Sequence, residues 1–174
     1  MSITKLNNLS ISAVTALPSG VGGKVLQVVS TNKTDTFSMS SLTFADITGL
    51  SVSITPSSAS NKILVIASLG IISGTSGYQM FFRMVRASTN ISIPSSAGSR
   101  TLCNFGLQIN GNDKGSSAGY QILDTPNTTS STTYKVQCAA QTNATLNLNG
   151  TNGDADADYT ARGTATITVM EIAG

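Results

Sequence analysis

The side chains able to do chemistry in this sequence are few. Six carboxylates are open to acid–base work: Asp113, Asp124, Asp154, Asp156, Asp158 and Glu171. A glycosidase needs only a pair of carboxylates flanking the scissile bond, so a small polysaccharide hydrolase is one reading. None of the six lies in a recognisable motif. The chain has no histidine, which removes Ser-His-Asp and Cys-His catalysis and the usual zinc sites. No Gly-Lys-Ser/Thr phosphate loop and no dinucleotide fingerprint occur. We therefore expect no catalytic residue, no cofactor and no metal, and a protein that is not an enzyme.

Three weaker signals remain. Asp154, Asp156 and Asp158 form a D-x-D-x-D run that suits a hard cation with oxygen ligands. The pattern then breaks, because Tyr159 stands where a calcium loop needs glycine and Ala165 where it needs a closing glutamate. A solvated loop is the expectation. Cys103 and Cys138 both fall on inward faces by strand parity, and in a cytoplasmic product they are expected to stay reduced. Glu171 is the only glutamate and sits in an apolar strand. A buried charge is normally paired, so an arginine partner is expected.

The elements that would position these residues follow from composition. Only 10% of the residues are charged, while the chain holds 25 Ser and 23 Thr. Ser, Thr and Asn compete for backbone hydrogen bonds and favour strands and turns, whereas exposed helix faces draw on Glu, Lys, Gln and Arg. Helices are not expected. The net charge is +2 without a basic run, which argues against nucleic acid as partner. The longest apolar stretch, 63–72, is too short to span a bilayer as a helix. The first residues do not read as a signal peptide, so we expect synthesis in a cytoplasm.

Residues 1–22 read as an extended arm, followed by one β-domain over 23–174. Ile3, Leu6, Leu9, Ile11, Val14 and Leu17 are the arm's apolar residues, spaced as neither heptad nor strand. They are expected to dock on a partner. Strands are expected at 24–30, 43–47, 50–55, 62–72, 78–87, 101–109, 119–123, 133–140, 144–149 and 160–172, with 88–100 a loop. Regularly spaced strands with turn signals between them indicate an antiparallel sandwich or barrel. In 101–109 the residues Cys103, Phe105, Leu107 and Ile109 share one face. In 133–140, Tyr134, Val136, Cys138 and Ala140 do the same.

Two strands carry apolar residues on both faces. In 62–72, Leu64, Ile66 and Ile72 oppose Ile63, Val65, Leu69 and Ile71. In 78–87, Met80, Phe82 and Met84 oppose Phe81 and Val85. A two-layer sandwich covers only one face of each sheet, so a neighbouring subunit is the expected cover for the second.

Several segments bear a family likeness. Phe44-Ala45-Asp46-Ile47-Thr48-Gly49-Leu50, then Ile54-Thr55-Pro56, then Ser60-Asn61-Lys62-Ile63-Leu64-Val65 resemble a recurrent stretch of tailed-phage fibre and virion-appendage proteins. Asp124-Thr125-Pro126 with Thr133-Tyr134, the ending 165–172, and Leu17-Pro18-Ser19-Gly20 are similar to the same family. The resemblance implies a jelly-roll-like sandwich akin to the trimeric complement and tumour-necrosis-factor domains, with the C-terminal strand near a threefold axis. On that reading the homotrimer interface falls on Leu64, Ile66, Phe82, Met84, Thr166, Thr168, Met170 and Ile172. The arm docks on another virion protein. Loops rich in Ser, Asn, Gly and Tyr, marked by Asn90, Ser95, Arg100, Asn112, Tyr120, Asn152 and Tyr159, contact a host-surface glycan or receptor. The implied role is a short tail fibre or spike for host attachment. A capsid decoration protein that stabilises the shell is the second reading.

Overall fold

The computed structural model describes residues 24–111 and 114–174. The apolar arm residues Ile3 to Leu17, as well as Asn112 and Asp113, lie outside the described residues. The described chain is all-β, with eleven strands and no helix. They are β1 (Val25–Lys33), β2 (Phe37–Met39), β3 (Ala45–Ile54), β4 (Lys62–Gly74), β5 (Gln79–Arg86), β6 (Thr89–Asn90), β7 (Phe105–Gln108), β8 (Ser116–Asp124), β9 (Thr132–Ala140), β10 (Leu146–Leu148) and β11 (Ala165–Ile172).

Two antiparallel sheets face each other. The larger runs β1-β11-β4-β10-β2, with β8 on the other edge of β4; the smaller runs β3-β9-β5-β6, with β7 also on β5. Inward residues from both sheets merge into one core: Ile63, Val65, Ala67 and Leu69 of β4, Met80, Phe82 and Met84 of β5, Tyr134, Val136 and Cys138 of β9, and Ile167 and Val169 of β11. The alternation expected for 133–140 holds as far as Cys138, after which Ala139 and Ala140 are both fully buried. Phe82 stacks on Phe105 at 4.9 Å, which is the offset geometry that aromatic pairs prefer.

β4 explains most of the larger sheet. It is long enough to take two partners on one edge. β11 pairs with Lys62 to Leu69, and β10 pairs with Ile72 to Gly74. Gly70 sits at the hand-over, where its N–H donates to the Thr164 carbonyl at 3.0 Å. A Cβ there would lie 2.3 Å from that oxygen, so only glycine fits. The register against β8 shifts between Leu69 and Ile72. This bulge corrects the expected faces: Ile72 turns into the core and Ile71 turns out of it. A bulge adds one residue, and strand parity read straight through it assigns the wrong side.

β3 unites the two short strands expected at 43–47 and 50–55. A shift between Asp46 and Ser51, with Gly49 at φ +80°, bends it without breaking it. Both Ile47 and Leu50 thereby reach the core. The short β2 was not foreseen, and the expected loop 88–100 opens with the two-residue β6.

Candidate functional site

The most distinctive surface is the outer face of the larger sheet. Register aligns three rows across four strands. Val28, Met170, Leu64 and Leu123 form the first row, from β1 through β11 and β4 to β8. Ser30, Thr168, Ile66 and Gln121 form the second, and Asn32, Thr166, Ser68 and Gly119 the third. No charged residue stands in these rows. The first row is about 14 Å long from the ordinary strand spacing. Its ends are open to solvent, with Val28 55% and Leu123 50% exposed. Val25 and Leu26 lie beside it, at 48% and 41%. Four of the six exposed large hydrophobic residues among the described residues therefore gather at one end of one face. Isolated apolar residues on a surface are ordinary; a contiguous patch marks an interaction site.

Six of the eight residues expected at a trimer interface lie on this face and are half-buried: Leu64, Ile66, Thr166, Thr168, Met170 and Ile172. Phe82 and Met84 do not. Both point into the chain's own core and are fully buried, because they occupy the inward parity of β5. On the other side of β5, Val85 is also buried within the chain. Phe81, on that same side of β5, is half-buried like Leu64 and Ile66 of β4. Val25, Val28 and Leu123 were missed as members of the patch. Each looks unremarkable within its own strand, and only the register across four strands puts them together.

The outer face of the smaller sheet is different. Lys135 Nζ donates to Asp46 Oδ2 and Gln137 Nε2 to Asp46 Oδ1, each at 2.7 Å. Arg83 Nε donates to Gln137 Oε1 at 2.8 Å, and its guanidinium lies 4.0 Å from the centroid of the Phe44 ring. The hydrogen bonds from Lys135 and Gln137 hold the Asp46 carboxyl below its ordinary range.

The strand directions also separate two ends. Lys24, Ile172 and the 55–61 turn share one end. There the Ala173 N–H donates to the Lys24 carbonyl, and the Gly174 N–H to Asn61 Oδ1. The segments 34–36, 75–78, 109–111, 114–115, 141–145 and 149–164 lie at the other. The residues singled out for receptor contact thus divide. Asn152 and Tyr159 sit at the end remote from Lys24, whereas Asn90 and the loop holding Ser95 and Arg100 leave β5 at the near end. Tyr120 belongs to β8; it hydrogen-bonds Ser92 Oγ at 2.9 Å and stacks on Phe105.

Two of the candidate carboxylates, Asp124 and Asp154, stand in ion pairs. Asp124 accepts from Arg86 Nη1 through both oxygens, at 2.8 and 2.7 Å, and from the Tyr134 hydroxyl at 2.7 Å. This group ties β8 of one sheet to β5 and β9 of the other. Burial and the neighbouring Asp124 carboxylate push the Tyr134 hydroxyl far above its usual range. Asp154 pairs with Arg162, while Asp156 and Asp158 belong to the same surface loop. No group of three His, Cys, Asp or Glu among the described residues could hold a metal ion.

Glu171 corrects an expectation. It is 1% exposed, yet no arginine among the described residues meets it. Gln27 Nε2 donates at 2.6 Å, the Ser57 N–H at 2.7 Å, Ser57 Oγ at 2.8 Å and Asn61 Nδ2 at 2.5 Å. Burial alone would raise its pKa, but these donors prevail and bring it down to about 2. The carboxylate latches β1, the 55–61 turn and β11 together. A neutral donor set leaves no charge signature, so the sequence did not point to it. Cys103 and Cys138 are both free thiols. Burial pushes Cys138 up to about 12 and also raises Cys103.

The chain matches no family model and no curated protein.

Proposed function

We propose that this chain is a self-assembling structural module, a terminal domain of a short trimeric tail fibre, spike or related virion appendage, and that its work is attachment rather than catalysis. One observation carries the reading: the partly apolar outer face of the larger sheet, whose three rows from Val28, Ser30 and Asn32 hold no charge and whose next row ends on the exposed Lys62. Burying the exposed parts of Val25, Leu26, Val28 and Leu123 would contribute about 1 kcal/mol each, and a second copy offers the same surface in a closed symmetric assembly.

Two further features support it. The strand order β1-β11-β4-β8 opposite β3-β9-β5-β7 follows the eight-stranded double Greek key of a jelly roll. The remote loops lie at the end opposite Lys24, so an arm fixed to a particle would turn Asn152 and Tyr159 outward toward a host surface glycan or receptor.

The test is the mass in solution. Light scattering on the purified chain is expected to give about three times the 17.8 kDa chain mass. A single-chain mass that persists as concentration rises overturns the proposal.

A further inference from the structure

The sequence contains three Asn-Gly pairs, 110–111, 149–150 and 152–153, and the fold gives each a different environment. An asparagine followed by glycine can lose its side-chain amide without an enzyme. The glycine backbone nitrogen attacks the asparagine Cγ, the C–N bond to the side-chain amide breaks and ammonia leaves, giving a five-membered succinimide. Water then opens the ring to aspartate or isoaspartate. No electrons are transferred; one water is consumed and one ammonia released. The step needs a glycine N–H that can leave its hydrogen bond, a carboxamide free to turn, and access for water. Glycine, lacking a Cβ, leaves the approach unobstructed.

We propose that Asn110 is a site of spontaneous deamidation in the folded protein and that Asn149 is protected by the fold. Asn110 is exposed, in the β7–β8 connection. The Gly111 N–H donates to the Ser76 hydroxyl at 3.0 Å, an exposed contact, and Gly111 has φ +127°, a region that glycine reaches easily. Asn149 is the opposite case. It is fully buried, and its Nδ2 donates to the carbonyls of Lys33 at 3.0 Å and Asp35 at 3.1 Å. The nitrogen that would depart is thereby pinned, and water is excluded. Asn152 is intermediate: it is half-buried, with its Oδ1 accepting from Asn147 Nδ2 at 3.2 Å. The expected order of reaction is Asn110, then Asn152, then Asn149.

The consequence is electrostatic. The chain has a formal charge of +2 and only eight acidic residues. One event at Asn110 takes the net charge from +2 to +1 and places the new carboxylate at the end remote from Lys24. The proposal holds whether or not the chain assembles.

The experiment incubates the full chain at mildly alkaline pH, folded and in urea, and follows each pair by peptide mapping that separates aspartate from isoaspartate. In urea the three pairs should convert at similar rates. In the folded chain Asn110 should convert several-fold faster than Asn152, and Asn149 should stay intact. Ser76→Ala should speed Asn110 further, and Asn110→Gln should remove the first charge change. Folded-state conversion of Asn149 at the rate of Asn110, or equal protection of both, overturns the proposal. A Ser76→Ala chain that reacts at the parent rate overturns the role given to the Gly111 hydrogen bond.

Discussion

The two outer faces of this sandwich are built from different residue types and solve different problems. On the smaller sheet, Asp46, Lys135, Gln137 and Arg83 are linked side chain to side chain across three strands. Their charges keep that face wetted and satisfied within one chain. On the larger sheet, the equivalent cross-strand positions hold Val28, Met170, Leu64 and Leu123, with Ser30 and Thr168 joined at 2.8 Å in the next row. That face has hydrogen-bonding capacity and apolar area, and its one charge in these strands is Lys62, beside Ile172 at the margin of the patch. In a chain with so few ionisable groups, where the charges stand is informative. They form a linked network on one sheet and stand at the margin, as Lys62, on the other.

The largest test of this contrast is to put a charge where none stands. Leu64→Asp is expected to cost roughly 2 kcal/mol or more of association free energy, as a central interface residue does. It should reduce the mass in solution to that of one chain. Because Leu64 points out of the sandwich, circular dichroism should change little. Arg83→Ala on the opposite face should leave the mass unchanged. If both substitutions left the mass alone, or both reduced it, the two faces would not differ as described.

A smaller effect is expected at the edge between the faces, where Glu171 is buried beside β1. Glu171→Gln leaves donors facing a donor and should lower stability by about 2–3 kcal/mol, read from chemical denaturation. The carboxyl's pKa is about 2 in the fold against an ordinary 4.5. A depressed folded value means the stabilisation is full above pH 4.5 and is lost as pH falls towards 2. The parent should lose stability across that window, and the Glu171→Gln variant should lose less. Parallel acid curves would mean the latch contributes nothing.

The smallest effect belongs to the charged face. Asp46→Asn should change stability by less than about 1 kcal/mol, since half-exposed ion pairs contribute little, and the difference should shrink in high salt. Thermal melts at two ionic strengths measure it. A loss as large as that at Glu171 would mean that the network holds the smaller sheet together rather than only covering it.

Much of the fold was legible because its signals are local. The absence of His, the single glutamate and the Ser/Thr surface are composition. The buried face of 132–140 is simple alternation, and so is the inward face of the first half of β4. The misreadings were non-local. Parity failed at Ile71 and Ile72 because an extra residue enters between Leu69 and Ile72, and nothing in the sequence announces a bulge. Phe82 and Met84 were placed outward because a strand apolar on both sides does not say which side its own chain covers.

The sequence alone determined that the chain forms strands, since Ser, Thr and Asn at this density disfavour helix surfaces, and that 133–140 buries one face, since period two is written into its residues. Tertiary structure alone decided the rest. The apolar row from Val28 to Leu123 joins residues from four strands spread over nearly the whole domain. The donors of Glu171 come from β1 and from the 55–61 turn, all of them more than a hundred residues away along the chain. Register and chain crossing bring such groups together, and these depend on how the sheets pair, which no single strand encodes.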